Sequence, residues 1–116
     1  MTLSEFYTRL GGDCAAVLQR IPSEKMVKKF LKMYPGDPSF QQLTDAIAVS
    51  DWPVAFRAAH TLKGVAQNLG LDQLQRVSSA LTEALRGGKP LTEPALFEAV
   101  KAEQARTLDA LGALDD

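Results

Sequence analysis

The stretch at residues 52–70, WPVAFRAAHTLKGVAQNLG, constrains this chain more than any other. Ala55, Ala59, Leu62, Ala66 and Leu69 recur at spacings of three and four, and Ala58 and Val65 widen the stripe. That period is the buried face of an amphipathic helix. Asp51 or Ser50 supplies a cap at its start, Pro53 suits its first turn, and Gly70 is a natural stop.

On a wheel of about 100° per residue with Leu62 at zero, His60 falls near ~160°, Gly64 near ~200°, Gln67 near ~140° and Lys63 near ~100°. Phe56 (about 120°) and Arg57 (about 220°) border the same outer face. The only histidine among 116 residues is therefore expected to face away from the core. Gly64 needs a reason, because a glycine inside a helix costs about 1 kcal/mol relative to alanine. Helical side chains lean toward the N-terminus, so one at position 64 would lie over the turn that carries His60. Its absence uncovers the imidazole, as a large partner would require. A metal site is disfavoured, since there is no second histidine and Cys14 is distant in sequence. Residue counting leaves nucleophilic hydrolysis open, yet that chemistry needs a base held in a pocket, and a convex helix face offers none.

The segment AHTLKGVAQNLGL, residues 59–71, resembles the signature of histidine-containing phosphotransfer (HPt) domains, in which a helix displays H-x-x-K-G. The small residue before the histidine, the lysine three later, the glycine four later and the closing NLGL all match. The resemblance implies an antiparallel four-helix bundle that carries a phosphoryl group on this histidine between receiver-domain aspartates. It would make His60 the phosphorylated nucleophile, Lys63 the stabiliser of phosphoryl charge and Gly64 the opening for the receiver. Gln67 would add a hydrogen bond to the phosphoryl group or to the partner's loop.

Length and composition set the outer bounds. The length suits one domain spanning residues 1–116, too short for a kinase with its own nucleotide-binding domain. Apolar residues at 46% and charged residues at 23% are ordinary for a globular protein. A net charge of −1 gives no electrostatic footprint for nucleic acid or an anionic membrane. One cysteine excludes an internal disulfide and fits a reducing compartment. No basic region followed by an apolar run opens the chain, and nothing approaches the roughly 18 apolar residues of a membrane span. A cytoplasmic protein is expected.

Turn signals divide the chain into five to seven helices, with no strand, repeat or linker. Residues 1–21 read as two short helices, capped by Thr2 or Ser4 and by Asp13, with Gly11-Gly12 between them. Residues 22–116 read as the bundle. Its helices begin near Ser23, Ser39, Trp52 and Leu71, and a last one capped by Thr92 completes or buttresses them and frays beyond Leu111. Lys25, Lys28, Lys29 and Lys32 stud one face of the helix after Ser23, a pattern usual for a solvated surface. Gln75, Ser79 and Thr82 share a flank of the helix from Leu71. In a bundle that flank would neighbour His60 and offer polar contacts. HPt domains commonly carry a glutamine where Thr82 aligns, so this chain departs from the pattern there.

Phosphoryl transfer of this kind needs an unprotonated imidazole nitrogen and a nearby positive charge. No Walker or glycine-rich nucleotide loop appears, so ATP is not the expected donor. No intrinsic cofactor or metal is expected, and the divalent cation of such chemistry belongs on the receiver. Expected partners are response-regulator receivers and a histidine kinase, which Phe56 and Arg57 would help to dock, and a monomer is expected. Two other readings stand beside this one. A non-catalytic helical interaction module would not need His60, and the phosphoacceptor domain of a chemotaxis-type kinase would take its phosphoryl group from an ATP-dependent donor. A chain that stops at Asp116 without a linker is what a stand-alone carrier is expected to show.

Overall fold

The computed structural model describes residues 1–116, which form seven α-helices and no strand. In order they are α1 (Leu3–Arg9), α2 (Cys14–Arg20), α3 (Glu24–Met33), α4 (Ser39–Ala48), α5 (Trp52–Asn68), α6 (Asp72–Leu85) and α7 (Pro94–Gly112). A 3-10 turn, Tyr34–Gly36, separates α3 from α4. Local chemistry sets most of the starts. Thr2 and Glu5 form a reciprocal capping box on α1. The Asp13, Ser23 and Asp51 side chains accept backbone N–H groups of Ala16, Met26 and Val54. Caps of this type contribute about 1 kcal/mol each.

The closely packed neighbours are α4 with α5, α5 with α6, and α6 with α7. They are joined by residues 49–51, 69–71 and 86–93, and connections this short make successive helices antiparallel. The fourth bundle helix is thus α7, 19 residues long, and the helix capped by Ser23 is not one of the four. That helix, α3, stops after ten residues at Tyr34-Pro35-Gly36. It packs beside α2 and the 3-10 turn, near the C-terminal ends of α5 and α7.

One continuous buried cluster draws on every helix, including Leu3, Phe6 and Tyr7 of α1 and Val17 of α2. The turn after α5 anchors this end of the bundle. Gly70 has φ +70°, and a Cβ there would sit 2.2 Å from Val17 Cγ2, so only glycine allows α2 this close. Tyr7 donates its hydroxyl to the Leu69 carbonyl at 2.6 Å and satisfies one of the orphan acceptors at the end of α5.

Two expected helix ends are corrected. The last helix starts at Pro94 with Glu93 at the cap position, and the Thr92 cap does not form. Proline disfavours the helical conformation in the residue before it and is itself suited to the first helical position, so the start moves to Pro94. The end does not fray at Leu111. Leu114 is buried, the Asp115 N–H donates to the Met1 carbonyl at 2.8 Å, and the terminal ammonium pairs with the Asp115 carboxylate at 2.7 Å. No helix is long and apolar enough to cross a membrane.

Candidate functional site

The apolar stripe of α5 is buried at Ala55, Ala58, Ala59, Leu62 and Ala66, and this fixes what the helix turns outward. His60 and Gln67 are exposed, and Lys63, Gly64 and Phe56 are half-buried beside them. Neither His60 nor Lys63 is engaged in an ion pair. The Phe56 and His60 rings stack with centroids 6.1 Å apart and planes at 19°, as residues one turn apart on a helix allow. The ring of Phe56 therefore supports one side of the imidazole and restricts its rotamers.

Gly64 has ordinary helical geometry, and a Cβ built on it would meet no atom within 4 Å. Nothing inside the chain requires glycine here. The larger clefts are not lined by His60. The largest of these, about 710 Å³, lies between Phe30 and Met33 of α3 and Val65 and Asn68 of α5. The imidazole stands on a convex surface.

Helix α6 supplies the second wall. Arg86, just past its end, places its guanidinium 5.4 Å from the Phe56 ring centroid. Because α5 and α6 are antiparallel, stepping back from Arg86 along α6 runs with stepping forward from Phe56 along α5. Glu83 is then level with His60, and Ser79 and Gln75 are level with the Lys63–Gln67 turn, at about 1.5 Å per residue. Gln75, Ser79 and Glu83 line one shallow groove on α6. Glu83 accepts two hydrogen bonds from Arg86, at 2.7 and 3.0 Å. These bonds foremost, with the charges of Arg86, Lys63 and His60 adding to them, hold its carboxyl below the usual glutamate range.

Of the residues expected on this surface, Thr82 is misplaced. It is fully buried, and its hydroxyl donates to the Ser78 carbonyl at 2.7 Å. The inward stripe of α6 runs through Leu74, Ser78, Leu81, Thr82 and Leu85, while Val77 is half-buried. The flank expected through Gln75, Ser79 and Thr82 therefore ends at Ser79, and Thr82 belongs to the buried stripe. A threonine tolerates this position because its hydroxyl finds an acceptor one turn back on its own helix. Arg57 is exposed on the far border of the α5 face and forms no ion pair. Sequence reasoning missed Glu83 and Arg86. The signal available was their spacing of three, typical of a helical ion pair, but nothing in that spacing assigns it to this face.

The all-helical bundle thus holds its single histidine exposed and without an ion pair on the outer face of α5. A family model described as Hpt domain matches residues 25–114, and the chain belongs to that family. As a member it is a phosphotransfer carrier of two-component systems, a class that works with receiver domains and kinases. No curated protein and no solved structure matches it.

Proposed function

We propose that His60 accepts a phosphoryl group from a receiver-domain aspartate, or from a hybrid histidine kinase, and passes it to another receiver. The lone pair of the unprotonated imidazole nitrogen forms the N–P bond as the P–O bond to the aspartate breaks, and the aspartate leaves as a carboxylate. The ring gains a positive charge while the phosphoryl oxygens keep two negative ones, so no proton need move. The reverse step uses the same atoms, which suits a carrier that must both load and unload.

Lys63, one turn from His60 and without an ion pair, acts as a point charge on the transferring oxygens. Gln67 hydrogen-bonds the phosphoryl group or the partner's loop. Phe56, Arg57, Gln75 and Ser79 form the rim on which the receiver rests, and aromatic residues favour the centre of such interfaces. Thr82 takes no part, being buried. The divalent cation sits on the receiver, the protein acts as a monomer, and it works in the cytoplasm.

The observation that carries this reading is the open space over Gly64 beside an unpaired imidazole, a gap without an internal purpose. The test mixes several receivers loaded with radiolabelled phosphate with the wild type and with a His60→Gln variant. Label on the wild type alone, stable to alkali and lost in acid, is the expected result. Label on both proteins removes His60 from its role. If neither receivers nor a histidine kinase with ATP label the wild type, the carrier reading goes and a non-catalytic interaction module replaces it.

A further inference from the structure

A contact chain runs from the imidazole to the end of α6: His60 stacks on Phe56, Phe56 lies under Arg86, and Arg86 is bound through two hydrogen bonds to Glu83. The antiparallel register brings the Glu83 carboxylate back to the level of His60. A carboxylate beside an acceptor of phosphoryl groups runs against the needs of the product, because the incoming group is itself an anion. Here it also occupies the one arginine that lies against the ring supporting the imidazole.

We propose that Glu83 and Arg86 set how tightly this site holds a phosphoryl group. The inference rests on the carrier reading of His60. Transfer from an aspartyl phosphate changes the charge at the imidazole from zero to minus one, since the ring becomes positive and carries a doubly negative phosphoryl group. Glu83 opposes that change twice. Its own charge repels the product, and its two hydrogen bonds engage the Arg86 guanidinium, whose charge would otherwise favour the product. Arg86, a cation, favours that change to the extent that Glu83 leaves it free. The pair thus keeps the phosphohistidine high enough in free energy to be handed on, whereas Lys63 alone would favour retention. Glu83 and Arg86 are positioning residues in this scheme, because the bonds that form and break are those of His60 and the receiver aspartate.

The test measures the equilibrium ratio of phosphohistidine to aspartyl phosphate after a labelled receiver is mixed with each variant, together with the phosphohistidine half-life. Glu83→Gln is expected to move the ratio toward phosphohistidine by about threefold at low salt, the size of one unit charge acting across several ångströms of solvent-exposed surface. Arg86→Gln leaves Glu83 without its partner and is expected to move the ratio the other way by a similar factor. Both effects shrink toward unity in 1 M salt, where the screening length is about 3 Å. Glu24→Gln, an equal charge change in the first turn of α3, is expected to match the wild type. Opposite, salt-sensitive shifts support the inference, since mere damage to the surface would move both variants in one direction. Shifts of the same sign, or none, in a system where the wild type is labelled overturn the role of the pair and leave the carrier reading intact. A wild type that takes no label overturns both.

Discussion

Replacing Gly64 with alanine separates what the bundle needs from what its partner needs. The backbone there is helical and a Cβ would touch nothing within 4 Å, so the substitution introduces no clash within the chain. It removes the conformational freedom of glycine from the unfolded state and restores helix propensity, together worth about 0.5 to 1 kcal/mol of added stability. For a domain of this size that raises Tm by roughly 2–4 °C. The new methyl group lies over the turn of His60 and stands where the receiver must approach, so the rate of phosphoryl transfer should fall by tenfold or more. Thermal melts by circular dichroism and a time course of label transfer from a phosphorylated receiver read the two effects on the same sample. A lower Tm would refute the claim that glycine has no internal purpose. A higher Tm with an unchanged transfer rate would refute the claim that the gap serves the partner.

Thr82→Val keeps the shape of a fully buried side chain and removes a hydroxyl bonded to Ser78, so a melt should record a loss of about 1 kcal/mol or less. Label transfer should stay at the wild-type rate, and a clear drop with an intact fold would return Thr82 to the site. Burial raises the phenols of Tyr7 and Tyr34 above their ordinary value of 10.0. Below that value both folded and unfolded chains hold the protons; above it the unfolded chain ionises first and the folded one resists, so stability falls as pH rises beyond about 10 toward the higher folded values. Alkaline unfolding monitored by circular dichroism should therefore begin above pH ~10, and Tyr7→Phe with Tyr34→Phe should blunt the dependence on pH.

Much of this molecule follows from spacings along the chain. Helix period alone places His60, Lys63, Gly64 and Gln67 opposite the stripe of Ala55, Ala59, Leu62 and Ala66, and the structure buries that stripe and exposes the histidine. Caps at Asp13, Ser23 and Asp51 are also local, because each side chain reaches a backbone N–H three residues on. These are angles and contacts within a single helix, and 3.6 residues per turn determines them without reference to the rest of the fold.

What the spacing does not carry is how one helix is rotated and placed against another. On α6 the apolar pattern admits a stripe through Val77 or one through Ser78 and Thr82, and only packing against α5 and α7 selects the second. The same rotation turns Thr82 inward and brings Glu83 and Arg86 to the side of Phe56 and His60. Whether α3 or α7 is the fourth helix is likewise a question of which helices pack together: α3 is as long as α4, but α7 packs along α6 while α3 meets only α2 and the 3-10 turn closely. The binding of Asp115 to Met1 joins residues 114 positions apart, a closure no local pattern encodes. The sequence by itself therefore determined the exposed histidine and the helix that displays it. The tertiary structure alone decided which charges from α6 stand beside it, because relative helix rotation is settled by the fit of side chains across an interface.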